Sequence, residues 1–391
     1  MQDYLKLDGI YGPDIGIIMK ILWQGFCGRN FSWSVCAQNI CRELIKLGHD
    51  VHMFSTNGNQ YFPEDLKPNL IGFINEDEPN HIFGRMPDQK FDMQLSYTCL
   101  KNFSHYFLRG DQNRFGIWNY ETTVVPKSFI KHYKSVDKVL PSSNFSKKIF
   151  TDNGMPEDHQ VVISHGINPE QFLNKDKYPL KTKKKIKFLV NIAQPHLRKN
   201  IPNVFKAYGK AFTKADDVCL VIKIAKKSPQ PKTDSVPFDD IYRNFCKEFK
   251  NHAEVEIISD FIVDIVPLYN VCDVVFSMSY CECFWLPGIE AVAANKIIIH
   301  PNYGGALDFL NENNSILIPG KEIRADIRLQ YWEPSPYAKM FEPNVEKATQ
   351  ALKDVYNNYE DYLKKFTPGM QEVAAEYTWE NATKKIMDLV K

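Results

Sequence analysis

Glu282 and Glu290 stand eight residues apart in the run Cys281-Glu-Cys-Phe-Trp-Leu-Pro-Gly-Ile-Glu290-Ala-Val-Ala-Ala294. A carboxylate accepts two hydrogen bonds at once, so two of them facing one crevice would suit the vicinal hydroxyls of a sugar or a ribose. The residues before them, Asp273-Val-Val-Phe-Ser-Met-Ser279, read as a buried strand, and Pro287 has the fixed φ and missing N–H that suit a first helical position. Glu282 is therefore expected on the loop at the strand's carboxyl end, and Glu290 in the first helical turn. Open α/β sheets bind ligands at that edge. The competing reading is plainer: an acidic residue in a first turn also complements the helix dipole.

A second group of chemistry-bearing residues follows another predicted strand, in Gln194-Pro-His-Leu-Arg198-Lys199-Asn200. A helix is expected from about Ile201, which puts a guanidinium and an ammonium beside backbone N–H groups at its start. That combination would neutralise a diphosphate, including one departing with developing negative charge. A solvated basic turn is the alternative. The run Gly25-Phe-Cys-Gly28-Arg29 lacks the third glycine of a dinucleotide loop, which disfavours a dehydrogenase. A Walker loop, a Gly-x-Ser-x-Gly elbow and a His-x-x-x-His pair are absent too, so a phosphate and sugar site remains.

These groups need sheets to carry them. Met19 to Phe26 is the first convincing strand, Ser34 to Leu47 follows at helical spacing, Gly48 is a helix stop, and Asp50 to Ser55 is a second strand. Further strands are expected at Met93 to Thr98, Arg114 to Tyr120, Lys138 to Pro141 and Gln160 to Ser164. Asn168 to Lys187 is rich in lysine and proline and reads as a solvated interdomain linker, although its lysines could also meet anionic lipid or phosphate. The rhythm then restarts. Strands near 188–193, 218–224, 255–259, 274–278, 296–300 and 316–318 alternate with helices near 201–212, 239–250, 263–270, 287–294 and 305–311. Residues 226–237 read as a surface insertion, and Asn344 begins a helical tail. The division is an extension at 1–18, one doubly wound domain at 19–178, a second at 179–368, and a terminal helix at 369–391.

Composition narrows the class. The 391 residues are 44% hydrophobic and 13% aromatic, enough for two cores. The 48 basic and 47 acidic residues nearly cancel, so no global field favours nucleic acid, which is disfavoured as a partner, or an acidic membrane. Nine cysteines with no Cys-x-x-Cys pair point to reduced, buried thiols. Without a long apolar run or a charged-then-apolar leader, a cytoplasmic location is expected, with peripheral contact at the inner face of a membrane left open.

Taken together, the motifs resemble those of the retaining GT-B glycosyltransferases, in the large family 4-like group that holds phosphatidylinositol mannosyltransferases and sucrose synthases. The resemblance runs from Met19 and is strongest from Leu268 to Pro319. Leu268-Tyr-Asn-Val-Cys-Asp273 stands for Leu-Tyr-x-x-Ala-Asp, Glu282-x7-Glu290 for the two-glutamate motif, and Tyr303-Gly304-Gly305 for a glycine pair that brings backbone close to the sugar. Asn314 to Pro319, Val161 to Phe172 and Tyr377-Thr-Trp379-Glu match further segments. Two Rossmann-like domains facing across a cleft are then implied, the first receiving a hydroxyl acceptor and the second a nucleoside-diphosphate sugar, with neither metal nor cofactor.

Carried residue by residue, the resemblance gives Glu290 the ribose hydroxyls, Arg198 and Lys199 the diphosphate, and Glu282 a hydroxyl of the transferred sugar. Backbone N–H groups of Phe284, Trp285 and Leu286 would lie along sugar and phosphate. In the first domain, Gly28 and Arg29 could reach the donor phosphate, a plain turn being equally open. Glu121 stands near the place of an acceptor-side histidine and is a candidate for polarising the acceptor hydroxyl; an exposed helix cap is the alternative. His165 reads as a hinge or core histidine. The pattern Glu-Gly-Phe-Gly-Leu-Pro appears here as Glu282-Cys-Phe-Trp-Leu-Pro287, so two glycines have gained side chains, and Asn200 replaces a glycine after the lysine. A nucleotide-sugar epimerase or hydrolase, and an inactive nucleotide-sugar-binding subunit, are the competing functions. The sequence leaves the nucleotide base, the sugar, the acceptor and the oligomeric state open.

Overall fold

The structure is a computed structural model, and it describes residues 17–28, 32–74, 82–84, 90–103, 113–193, 195–224, 237–327 and 335–390. The expected extension, apart from Ile17 and Ile18, and the expected insertion, apart from Pro237, lie outside the described residues, as does Arg29.

The first sheet contains β1 (Lys20–Gly25), β2 (Asp50–Ser55), β3 (Leu70–Ile74), β4 (Ile82–Gly84), β5 (Met93–Tyr97), β6 (Arg114–Ile117) and β7 (Lys138–Leu140), in the order β4-β3-β2-β1-β5-β6-β7. All its pairings are parallel except that of β4 with β3. The second sheet contains β8 (Ile186–Asn191), β9 (Val218–Lys223), β10 (Glu254–Ile258), β11 (Val274–Phe276), β12 (Ile297–Pro301) and β13 (Ile316–Ile318). It is wholly parallel, in the order β10-β9-β8-β11-β12-β13. Strands covered on both faces need near-continuous apolar runs, and Ile297-Ile-Ile in β12 and Val218-Cys-Leu-Val-Ile in β9 supply them, fully buried.

Each sheet reverses its winding once, between β1 and β5 and between β8 and β11. In doubly wound sheets such a reversal leaves a crevice beyond the carboxyl ends of the two strands. The predicted groups of the second half follow the strands that flank its crevice: Arg198 and Lys199 come after β8, and Glu282 and Glu290 after β11.

Some expectations differ in detail. Among the described residues Gln160 to Ser164 joins no ladder, and only Gln160 bridges, to Val139. The segment 168–187 connects the two sheets, but its backbone is tied to the second one. The Tyr178 N–H donates to the Pro267 carbonyl at 3.0 Å, and the N–H groups of Lys181 and Thr182 donate to the Glu256 carboxylate at 2.9 and 2.8 Å. Tyr178 and Leu180 pack on the second core while Lys175, Lys177, Lys181 and Lys183 stay exposed.

Two late segments return to the first sheet. The helix Trp379–Met387 buries Trp379, Ala382 and Ile386 among Ile21, Ile40 and Leu44. After β13 the chain forms an antiparallel hairpin, β14 (Gly320–Arg324) with β15 (Lys339–Pro343), which sequence reading did not anticipate. Its Ala325, Ile327, Ala338 and Met340 are buried with Trp118, Tyr120, Val139 and Phe150 of the first half. All nine cysteines are free thiols, eight of them buried. Among the described residues no helix is long and apolar enough to cross a membrane.

Candidate functional site

Glu282 is 5% exposed and sits between two cations. Arg198 Nη1 donates to Glu282 Oε2 at 2.8 Å, and Lys199 Nζ donates to Oε1 at 2.6 Å. Backbone geometry holds all three. The Tyr280 N–H donates to the Arg198 carbonyl at 2.8 Å, and Asn200 donates its side-chain amide to the Met278 carbonyl at 2.9 Å. Asn200 takes a left-handed φ of 51°, which asparagine tolerates better than most side chains.

Burial alone would raise the Glu282 carboxyl, but Lys199 and Arg198 outweigh it and hold it at about 2. Burial opposes the charge on Arg198 as well, and there Glu282 and Glu121 prevail and raise its pKa. Lys199 is lowered by burial and by the neighbouring Arg198. Two half-buried cations sharing one buried carboxylate make a cluster that is costly to break from either side.

Glu121 completes it from the first half of the chain. It follows β6 and places Oε1 3.8 Å from Arg198 Nη2, so the alternative of an exposed helix cap does not hold. Its Oε2 is buried and accepts no hydrogen bond among the described residues, and burial raises its pKa. Arg198 is thus shared across the crevice between a fully paired carboxylate and a half-satisfied one.

Glu290 lies on the helix that leaves the same edge. The helix that carries it spans Leu286–Ala293, so Glu290 is its fifth residue and lies beyond the first turn, not in it as expected. The dipole acts mainly within that first turn, so the plainer reading of Glu290 loses its basis. Instead Glu290 Oε2 accepts from the Tyr269 hydroxyl at 2.7 Å, and Asn191 donates to the same hydroxyl at 3.2 Å. Burial lifts the Glu290 carboxyl to about 7 despite the Tyr269 hydrogen bond. The motif Leu268-Tyr269 was visible in the sequence; its use as the partner of Glu290 was not.

The connecting loop, Cys283 to Leu286, carries the two side chains, Cys283 and Trp285, that stand at the glycine positions of the motif it resembles. Trp285 has φ +75°, a conformation that is strained for a bulky side chain and easy for glycine. The backbone takes a shape that glycine adopts easily, while the indole ring packs on His300 at 4.2 Å between centroids. Trp285 also lines a small cavity between the ends of β8 and β11, with Asn191, Lys199, Ser277 and Ser279. Helix N–H groups in the first turn have no intrahelical acceptors, so Leu286 opens the helix toward this edge, with Phe284 buried just before it.

Gly304 and Gly305 serve this loop from beneath. The Gly305 N–H donates to the Glu282 carbonyl at 2.9 Å, and a Cβ on Gly305 would lie 1.6 Å from the Cys283 carbonyl oxygen. A Cβ on Gly304 would lie 2.7 Å from the Glu282 carbonyl oxygen. The close approach that the pair permits is to the loop bearing Glu282. From the first half, Ser143 Oγ donates to the Cys283 carbonyl at 2.5 Å, and the Asn144 N–H donates to Asp308 at 2.7 Å.

Gly28 lies at the end of β1, and its N–H donates to Asn57 Oδ1 at 2.8 Å, as the Cys27 N–H does at 3.0 Å. In this state those donors stabilise their own turn. His165 is buried, contacts the Tyr97 hydroxyl at 3.2 Å, and packs on Phe284 and Trp379. Burial drives its pKa down to about 3, as a neutral core histidine requires. Among the described residues one trio of metal-capable groups gathers, Cys219, Glu254 and Glu256. It lies at the amino ends of β9 and β10, on the opposite edge, and its Glu256 is engaged by Lys181 and Thr182.

No family model and no curated protein sequence matches the chain. Solved structures do. A glycosyltransferase from Rickettsia africae superposes with a TM-score of 0.67 at 18% identity, over 95% of this chain and 98% of that one. HepE of Anabaena in complex with UDP-glucose gives 0.67 at 13% identity, over 95% and 98%. A sucrose-phosphate synthase from Thermosynechococcus elongatus gives the same figures, 0.67 at 13% identity, over 95% and 98%. The chain has the GT-B fold.

Proposed function

We propose that this protein is a retaining, metal-independent glycosyltransferase of the family 4-like group, which moves a sugar from a nucleoside diphosphate to a hydroxyl acceptor. One observation carries the reading. The crevice at the winding reversal of the second sheet brings together two cations, Arg198 and Lys199, and a separate carboxylate, Glu290, with Glu121 facing them from the first sheet. A diphosphate needs the first group, a ribose diol suits the second, and an acceptor hydroxyl suits the third. The shared fold with HepE, which has been solved with UDP and with UDP-glucose, supports a nucleotide-sugar donor.

In this mechanism Glu290, backed by Tyr269 and Asn191, accepts both ribose hydroxyls. Arg198 and Lys199 stabilise the charge that develops on the departing diphosphate, the role otherwise given to a metal ion. Glu282 then orients the two cations and accepts a hydrogen bond from a hydroxyl of the transferred sugar. Glu121 orients the acceptor hydroxyl on the face from which the diphosphate leaves, and a diphosphate oxygen takes its proton. Little covalent work is left to the protein; positioning supplies most of the acceleration.

The test begins with a thermal-shift screen of nucleoside diphosphates and nucleotide sugars, followed by mass-spectrometric transfer assays with the best binder. Lys199→Ala is expected to lower kcat/KM on the order of 10²-fold or more, as removal of a transition-state charge partner does. Donor turnover without any glycoside product would favour the epimerase or hydrolase instead, and a Lys199→Ala variant at near-normal rate would remove the cation pair from the mechanism.

A further inference from the structure

The hairpin that follows β13 touches the site at two points, and both lie on one edge of β15. In an antiparallel pair, alternate residues turn their backbone groups toward the partner strand. The Ala338 carbonyl faces β14, accepting from the Ala325 N–H at 2.7 Å. Lys339 and Phe341 therefore present their N–H groups to the outer edge, two residues or roughly 7 Å apart. The Lys339 N–H donates to Thr123 Oγ1 at 2.9 Å, and the Thr123 N–H returns a longer bond of 3.4 Å to the Lys339 carbonyl. The Phe341 N–H donates to the Tyr280 carbonyl at 2.9 Å.

Thr123 lies two residues after Glu121, and Tyr280 two residues before Glu282. One strand edge thus holds both loops that deliver carboxylates to Arg198, and those loops come from different sheets. The hairpin cannot slide along them, because Ala325, Ile327, Ala338 and Met340 are seated in the apolar cluster beneath Tyr120 and Trp118. On its other side, Phe341 stacks on Tyr303 at 5.0 Å with an interplanar angle of 5°, next to the Gly304-Gly305 turn.

We infer that the outer edge of β15 is a spacer that sets Glu121 against Arg198, with Thr123 as the positioning residue through which it acts. The inference rests on the glycosyl-transfer reading for its effect on turnover, though not for its geometry. A shift of about 1 Å in a reacting group can cost on the order of 10²-fold in rate. Thr123→Val keeps the shape of the side chain and removes the acceptor for the Lys339 N–H.

Kinetics and a crystal structure of this variant test the inference. Acceptor kcat/KM should fall at least 10-fold, nucleoside-diphosphate affinity should change less than 2-fold, and Thr123→Ser, which keeps the hydroxyl, should recover most of the loss. A role confined to fold stability would move both affinities or neither and would not distinguish serine from valine. Wild-type acceptor kinetics in Thr123→Val, or equal damage in Thr123→Ser, would overturn the inference. If the wild type transfers no sugar, the transfer reading itself fails. The crystal structure then decides the spacer role alone: Glu121 displaced from Arg198 in Thr123→Val upholds it, and an unchanged 3.8 Å separation ends it.

Discussion

Glu290→Gln separates what the crevice costs the fold from what it does for a ligand. Burial lifts the Glu290 carboxyl from 4.5 to about 7, while in the unfolded chain the same group ionises near its ordinary value. Between those two values the folded protein keeps a proton that the unfolded chain has released. Stability therefore falls as pH rises from 4.5 to about 7, and is level above that. The whole difference is about 3 kcal/mol at 1.36 kcal/mol per pH unit, and local relaxation brings the expected effect to about 1–3 kcal/mol. Glutamine keeps a carbonyl oxygen for the Tyr269 hydroxyl and cannot ionise. At pH 8 the variant should melt higher than wild type, by about 2–4 °C per kcal/mol for a unit of 150–250 residues. Near pH 5 the two should converge. Binding should change in the opposite sense: a lost charge-assisted acceptor is worth about 1.5–3 kcal/mol, or roughly 10- to 150-fold in Kd. Calorimetry with UDP or another nucleoside diphosphate at pH 8 reads that loss. The gap should shrink below pH 7 as wild-type Glu290 takes up its proton. A variant that melts lower than wild type at pH 8, or binds the nucleotide equally well there, would refute the reasoning.

Two other perturbations probe the loop between the glutamates. Trp285→Gly relieves a left-handed conformation worth about 1–2 kcal/mol but empties a buried indole site, a loss of about 3–5 kcal/mol; the melting temperature should fall while the range of accepted nucleotide sugars widens in a donor panel. Unchanged donor selectivity would place the ring outside the donor's reach. Gly305→Ala puts a methyl group 1.6 Å from the Cys283 carbonyl oxygen and 2.6 Å from Ser143 Oγ. It should displace the Glu282 loop and lower transfer at least 10-fold, and a variant with wild-type activity and melting would show that the loop yields freely.

The alternation of apolar runs revealed both sheets because parallel strands buried on both faces leave an unmistakable pattern, as in Ile297-Ile-Ile and Val218-Cys-Leu-Val-Ile. Pro287 located the start of the helix after β11 to within a residue. The edge at which Glu282, Glu290, Arg198 and Lys199 gather followed from the same frame. What stayed hidden was long-range. Nothing in Lys339-Met-Phe-Glu-Pro343 announces a strand whose outer edge bonds to Thr123, 216 positions away in sequence. Likewise, the sequence offers no sign that Glu282 would be paired with both cations, or that Glu121 would face Arg198 half-buried, because local pattern reports burial of apolar faces and says little about paired charges. The strands β3 and β4 and the hairpin β14–β15 also went unread: β4 is three residues long, and β14, Gly-Lys-Glu-Ile-Arg, has one apolar residue on a mostly exposed strand and so offers no apolar pattern.

The return of the hairpin and of the helix Trp379–Met387 to the first sheet has a consequence for how the protein is made. Chains emerge from the ribosome amino end first, and independent domains fold in that order. Here the amino-terminal sheet leaves the ribosome with two apolar faces that lack their covers, one awaiting Ile327 and Met340, the other Trp379 and Ile386. At 5–20 residues per second the roughly 250 residues between β7 and those last covers take about 10–50 s to synthesise. Throughout that interval those two faces stay without their covers, and a message truncated before the terminal helix yields a chain that lacks Trp379 and Ile386 to close its oldest part.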